Sequence, residues 1–145
     1  MIDFLNKESS VVEYVKTHLP EFLPAGLSPP DDYVNDFIDF DKYKKNVVVW
    51  FNFVNYLYET LTNESNEETG NLKIYISVRN DSKENLRTKL LQYASALYNM
   101  FEASGTSFGG LTDDGEIENI QFYQYVEGQH SLKIVEFEIT LTTEI

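Results

Sequence analysis

The chain has 145 residues, and its 24 acidic and 11 basic side chains give a formal net charge of −13. It has no cysteine, which excludes disulfides, thiol nucleophiles and cysteine metal sites, and it lacks the basic surface of a nucleic-acid-binding domain. A hydrophobic fraction of 42% with 14% aromatic residues argues against disorder. We therefore expect one domain over residues 1–145. We expect no cofactor, no signal peptide and no membrane association.

Residues 3–18 are predicted to form the first helix. Ser10 and Glu13 match a capping-box pattern, although Asp3 is an earlier start signal. Pro20 and Pro24 are expected to end the helix. Residues 20–45 are interpreted as an irregular loop, in which the acidic segment 33–41 fits either a short strand or a turn of helix.

The longest β-rich run covers residues 46–61, and both of its faces are apolar. Val49, Phe51, Phe53 and Leu57 alternate on one face, while Trp50, Tyr56 and Tyr58 alternate on the other. Such a strand is buried on both sides, or one side meets another chain. The acidic segment 63–70 is predicted to be a mobile hairpin tip that contacts a partner. Its candidate contact residues are Asn63, Glu64, Asn66, Glu67 and Glu68.

A strand and a helix are predicted next, over residues 71–80 and 81–104. The strand alternates between Leu72, Ile74, Ile76 and Val78 on one face and Lys73, Tyr75, Ser77 and Arg79 on the other. Asp81 and Glu84 match a capping box, and Gly105 is expected to end the helix. One apolar stripe on this helix should cover the sheet, and it comprises Leu86, Leu90, Tyr93, Ala94, Leu97 and Phe101.

A glycine-rich segment and a closing hairpin complete the chain. The segment GTSFGGLTDDG has no GKS or GKT ending and precedes a strand, so a turn is predicted instead of a phosphate-binding loop. Residues 118–126 and 132–143 alternate around a predicted turn at 127–130. The element order predicts an α+β fold. It has a mainly antiparallel sheet of four to five strands, a central helix packed on one face and an N-terminal helix.

No pattern in the chain indicates catalysis. His18 and His130 are the only histidines, and neither stands in a recognisable motif. Glu136 and Glu138 share a strand face as a glycosidase pair would, but outward glutamates on a final strand are typical of a solvated surface. We expect that the protein is not an enzyme.

Aromatic side chains are predicted to project from the sheet face opposite the core. Tyrosine and tryptophan are favoured at protein interfaces, so this face is a candidate interface. The alternative is that another helix, such as the first one, covers it. The candidate interface residues are Trp50, Tyr56, Tyr58, Lys73, Tyr75, Arg79, Tyr123 and Tyr125.

The element order and several local patterns resemble the tail terminator (tail completion) proteins of long-tailed bacteriophages. The matching stretches are the strand 74–78, the helix pattern ENLRTKLLQYASALYNMFEAS, the turn Phe108-Gly109-Gly110, and VEFEITLTT at 135–143. The resemblance covers residues 46–145, and the first 45 residues more loosely.

The resemblance implies a structural virion protein at the junction of tail and head, made in the cytoplasm of a bacterial host. Such proteins assemble as a homo-oligomeric, hexameric ring that caps the tail tube and stops its polymerisation. The implied partners are further copies of the chain, the tail tube protein and a head–tail connector protein. DNA would pass the pore without specific binding. Two alternatives are a small acidic inhibitor or immunity protein that binds a basic enzyme surface, and another head–tail connector protein.

Overall fold

A computed structural model describes residues 3–36, 38–40, 44–62, 65–105, 107–123 and 132–144. Its five strands form one sheet in the order β1-β2-β3-β5-β4, in which β1 pairs with β2 in parallel and the other pairs are antiparallel. The predicted α+β class is confirmed, with a fifth strand. The elements are α1 (Phe4–His18), a 3-10 turn (Leu19–Phe22), β1 (Asp32–Val34), β2 (Val47–Thr60), β3 (Asn66–Arg79), α2 (Lys83–Ser104), β4 (Asp114–Tyr123) and β5 (Leu132–Glu144).

The predicted first helix is confirmed, and the segment that follows it has more regular structure than predicted. Asp3 caps α1 by accepting a hydrogen bond from the Asn6 backbone N–H at 3.0 Å, so the helix begins there and not at Ser10. The α-helix ends at His18, before Pro20 as predicted, and a 3-10 turn follows that holds the proline in its first turn. Residues 32–34 form β1, which agrees with the strand alternative for the acidic segment, so the predicted irregular loop over 20–45 was wrong at the 3-10 turn and at this strand.

The N-cap of helix α2 lies one residue later than predicted. Ser82 is its N-cap and accepts a hydrogen bond from the Asn85 N–H, so the predicted capping box of Asp81 and Glu84 is not the one used. Asp81 instead accepts hydrogen bonds from the Lys89 ammonium at 2.8 Å and from the Asn85 amide. These bonds, the one from Lys89 first, lower the pKa of Asp81 to about 2. The predicted end at Gly105 is confirmed, with φ 68°.

Both helices cover the same face of the sheet, which we call the inner face. The predicted α2 stripe is buried there against β3 and β5, together with Val11 and Val15 of α1. The turn after α2 joins the two helices, since the Phe108 ring lies 5.0 Å from Phe101 and 5.9 Å from Tyr14 between centroids. The strand residues of this core include Val49, Phe51, Leu72, Ile74, Ile76, Val135, Phe137 and Ile139.

A bulge in β2 reverses the faces of its second half. Phe53 pairs with Leu72 and Asn55 with Asn71, so Val54 between them has no partner on β3. One extra residue shifts every following side chain to the other face. Tyr56 and Tyr58 therefore lie on the inner face, and the prediction that they project from the opposite face was wrong.

The hairpin tip between β2 and β3 is shorter than predicted. Residues 66–70 belong to β3, so the prediction of a mobile loop over 63–70 was wrong for Asn66, Glu67 and Glu68. The backbone N–H groups of Leu61 and Thr62 both donate to the Ser65 carbonyl and close the turn. Asn63 and Glu64 lie outside the described residues.

Candidate assembly interface

The outer face, opposite the helices, carries Trp50 as predicted, but the Trp50 side chain is covered within the subunit. Trp50 is only 1% exposed. Its indole N–H donates to the Ser77 hydroxyl at 2.8 Å, and the Phe40 ring packs edge-on at 5.1 Å between centroids. The interpretation of Trp50 as an exposed interface residue was therefore wrong. Trp50 is covered by Phe40 of the acidic segment. Helix α1, the alternative cover that the sequence suggested, lies on the inner face.

Three other candidates belong to the same internal cluster. Tyr75 lies beside Phe40, and burial, then its hydrogen bond to Glu136, raises the pKa of the Tyr75 hydroxyl. The Lys73 ammonium lies 3.7 Å from the Glu136 carboxylate, which is nearly buried instead of solvated as expected. Arg79 is buried and donates to the Phe40 carbonyl. These contacts engage all three side chains within the subunit.

Two of the predicted interface residues are exposed, and a third is outside the residues that the structure describes. Tyr123 is exposed at the end of β4, and Tyr58 is exposed near the end of β2. Tyr125 and His130 lie outside the described residues. His18, the other histidine, ends α1 with its Nδ1 at 3.4 Å from a Glu21 carboxylate oxygen.

The distal half of the β2–β3 hairpin exposes several large apolar side chains. We call its described residues, 54–62 and 65–71, the arm. Its β2 half turns large apolar side chains to solvent, and Leu57 is 57% exposed. Leu57 lies on the outer face and Tyr58 on the inner face, so both sides of the arm are apolar. A cluster of exposed apolar side chains of this kind is characteristic of protein interaction sites. The exposed arm residues are Val54, Leu57, Tyr58 and Leu61.

Helix α1 braces the arm from the inner face. The Tyr56 hydroxyl donates to the Glu8 carboxylate at 3.1 Å, and the Phe4 ring lies 4.8 Å from the Tyr56 ring. The Lys7 ammonium forms an ion pair with Glu68, which is only 2% exposed. Burial raises the pKa of Tyr56, with the Glu8 carboxylate adding to the effect, and burial lowers the pKa of Lys7. Glu68, predicted to contact a partner, is thus an internal anchor of the arm.

A groove runs along the far edge of the sheet, between α2 and β4. It has a volume of about 350 Å³, and its walls carry no charged side chain. Leu91 and Tyr98 of α2 stand on one wall, 41% and 42% exposed, and Phe122 of β4 stands on the other. The lining residues are Leu91, Ala94, Ser95, Tyr98, Asn99, Ile120, Phe122 and Phe137.

Sequence reasoning missed this groove, although the sequence of α2 contains a pattern that indicates it. Leu91 and Tyr98 are seven residues apart and lie off the predicted core stripe, so they mark a second apolar line along α2. A helix face that carries such residues beside its core stripe faces either another element or a partner. The arm had no comparable signal, because the bulge at Val54 is not visible as a break in the alternation.

No protein-family model matches the chain, and a search of curated proteins finds no match. The function is therefore argued from the surfaces described above. Within the described ranges, no three His, Asp or Glu side chains group closely enough to hold a metal ion. In the same part of the chain, no helix has the length and apolar character that crossing a membrane requires.

Proposed function

We propose that this protein is a structural virion protein of the tail terminator kind. Copies of the chain form a ring, a hexamer in this proposal, that caps the tail tube and stops its polymerisation. The ring joins the tail to the head connector. The observation that carries the proposal is the arm, which holds exposed apolar side chains on a hairpin braced by α1 instead of burying them.

The arm has the properties of a preorganised contact surface. Its exposed side chains project from paired strands, and α1 anchors the strands through Tyr56 and Glu68. Fully burying one exposed leucine or valine contributes about 1.5–3 kcal/mol. Several such side chains together are on the scale of the cost of association, and rigidity lowers the ordering part of that cost. Repeated copies of one subunit can use such a surface to assemble.

The confirmed element order supports the same proposal. A braced long hairpin, a central helix, a Phe-Gly-Gly turn and a closing hairpin follow one another as in the resemblance to tail terminators. Fold alone does not fix function, so the arm and not the layout carries the argument. The virion location and the partners, namely the tube and connector proteins, follow from the proposal.

Net charge supplies a way to separate this proposal from an acidic inhibitor. Six subunits carry 6 × (−13) = −78 formal charges, so long-range repulsion opposes a ring. Moderate salt screens this repulsion while apolar burial persists, and self-assembly should strengthen. An inhibitor that grips a basic enzyme by charge would bind more weakly in the same salt.

The test measures oligomer mass and tube growth together. Native mass spectrometry and light scattering follow the purified protein from low to moderate salt, and electron microscopy measures tube length when tail tube protein polymerises with and without it. We expect a ring that strengthens with salt and shortens the tubes by occupying one end. A chain that stays monomeric at every salt concentration, with tubes of unchanged length, would refute the proposal.

Matched variants connect the effect to the arm. Leu57→Ser should abolish the ring and its effect on tubes. Leu111→Ser provides the control, because Leu111 is similarly exposed in the turn after α2, away from the arm. If both variants assemble as well as the wild type, the arm is not the contact surface.

A further inference from the structure

Resting on the proposed ring, we propose how neighbouring subunits join. The free edge of the arm in one copy pairs with the free edge of β4 in the next copy, head to tail. Tyr58, on the inner face of the arm, enters the α2–β4 groove of that neighbour. The partner of each surface is therefore a second copy of this chain, bound through a continuous sheet across the subunit boundary.

The first free edge lies along the second half of β2. Strand β1 covers β2 only at Val48–Trp50. Beyond Trp50, the described residues bring no strand to that side of β2 as far as Thr60. The backbone N–H and C=O groups of such an edge are a template for pairing with another chain. After the bulge at Val54, residues 55–60 form a regular stretch available for pairing.

The second free edge is β4, at the opposite end of the strand order. Strand β4 pairs with β5 on one side, and no strand within the described ranges pairs with its other side. Its acidic residues Asp114, Glu116 and Glu118 lie at or before the irregularity between Ile117 and Asn119. The regular stretch 119–123 that follows contains no charged residue and no proline. Lysine, proline and charge are the usual protections of an edge strand, so this stretch is unprotected.

Charge and shape favour head-to-tail pairing over pairing between two arms. Pairing two arms would join two edges that each carry the Glu59 carboxylate, whereas β4 after its bulge offers no charge. The groove adjoins β4 and contains Leu91, Tyr98 and Phe122, which an added strand would cover. Two different surfaces on one chain make a heterologous contact, and such contacts generate rings when the rotation closes.

Single cysteines test the pairing directly, because the natural chain has none. Leu57 on the arm and Gln121 on β4 both lie on the outer face, as neighbouring positions of a paired sheet would. Leu57→Cys and Gln121→Cys subunits are mixed and oxidised, with Asn55→Cys, Glu59→Cys and Tyr123→Cys covering other registers. We expect cross-links between one arm variant and one β4 variant. Cross-links found only within a single arm variant would overturn the head-to-tail pairing.

Blocked edges provide a second test that needs no cross-link. Leu57→Lys blocks the arm, and Phe122→Lys blocks the β4 edge and its groove. Each variant alone should be monomeric, while an equal mixture should form dimers and stop there, because each dimer keeps one blocked edge at each end. Thermal unfolding checks that both variants fold, and Leu111→Lys should still form rings. A mixture that stays monomeric, with both variants folded, would contradict the pairing.

The two proposals fail in different ways. If wild-type rings shorten tubes but the cross-links map to other surfaces, the head-to-tail pairing is wrong and the terminator function stands. If the mixed variants form dimers and wild-type rings leave tubes unchanged, the pairing stands and the terminator function is wrong.

Discussion

The two halves of β2 both carry large apolar side chains, but their environments are opposite. Residues 47–51 are buried on both faces, within the helix-side core on one side and beside Phe40 on the other. Residues 54–60 have aromatic or aliphatic side chains at four of seven positions, yet most of these are exposed. The bulge at Val54 separates the halves. The difference shows that an apolar, β-rich run does not by itself reveal whether its own chain or another covers it.

The largest effect should come from breaking the buried half. Trp50→Ala removes the indole from under Phe40 and leaves Ser77 without its donor, so we expect a loss of about 3–5 kcal/mol in the free energy of unfolding. Urea denaturation of the variant measures it. A variant of unchanged stability that has lost only assembly would mean that Trp50 serves the interface, as the sequence first indicated.

Helix α2, which packs on β3 and β5 beside the buried half of β2, gives a second, similar test. Leu97→Ala should cost about 2–5 kcal/mol, because Leu97 is fully buried between α2 and the sheet. Lys83→Ala on the exposed side of the same helix is the matched control and should change stability by less than about 0.5 kcal/mol. Equal melting temperatures for the two variants would mean that α2 faces the sheet with another side.

The sequence predicted that Leu97 is buried but not that Trp50 is, and the reason is physical. Leu97 belongs to a stripe whose period alone defines its buried side, so the sequence predicted it. Trp50 was placed on the correct face, but its cover is one ring from a segment with no clear periodicity. The faces of Tyr56 and Tyr58 depended on a single unpaired residue, which leaves no trace in the alternation.

The brace between α1 and the arm should give an intermediate effect. Tyr56→Phe keeps the ring against Phe4 and removes the hydrogen bond to Glu8, so we expect about 1 kcal/mol of lost stability. Amide hydrogen exchange should become faster in the arm and stay unchanged in residues 47–51. Tyr58→Phe is the control, since the Tyr58 side chain is largely exposed. Equal exchange in both variants would show that Glu8 does not hold the arm.

Changes on the outer surface of the arm should leave folding almost unaffected. Leu57→Ala should change the free energy of unfolding by less than about 0.5 kcal/mol, because the side chain is mostly exposed. The same change should weaken assembly at least tenfold, since about 1.4 kcal/mol of lost burial corresponds to that factor. Urea denaturation and sedimentation equilibrium measure the two quantities. A large loss of stability without loss of assembly would place Leu57 in the core and remove the contrast between the halves.

The smallest effect concerns the start of α2, the helix that packs on β3 and β5. Hydrogen bonds from Lys89 and Asn85 lower the pKa of Asp81 to about 2 from its usual value near 3.8. The unfolded chain therefore binds this proton first as the pH falls, and the stabilisation from the ionised carboxylate is present above about pH 4 and is lost towards pH 2. Asp81→Asn should be less stable than the wild type at pH 6, and this difference should shrink between pH 4 and pH 2 as the wild-type carboxylate is protonated. Thermal unfolding of both proteins across this range isolates Asp81 from the other carboxylates, which titrate in both. A stability difference that stays constant down to pH 2 would mean that Asp81 acts through its shape and not its charge.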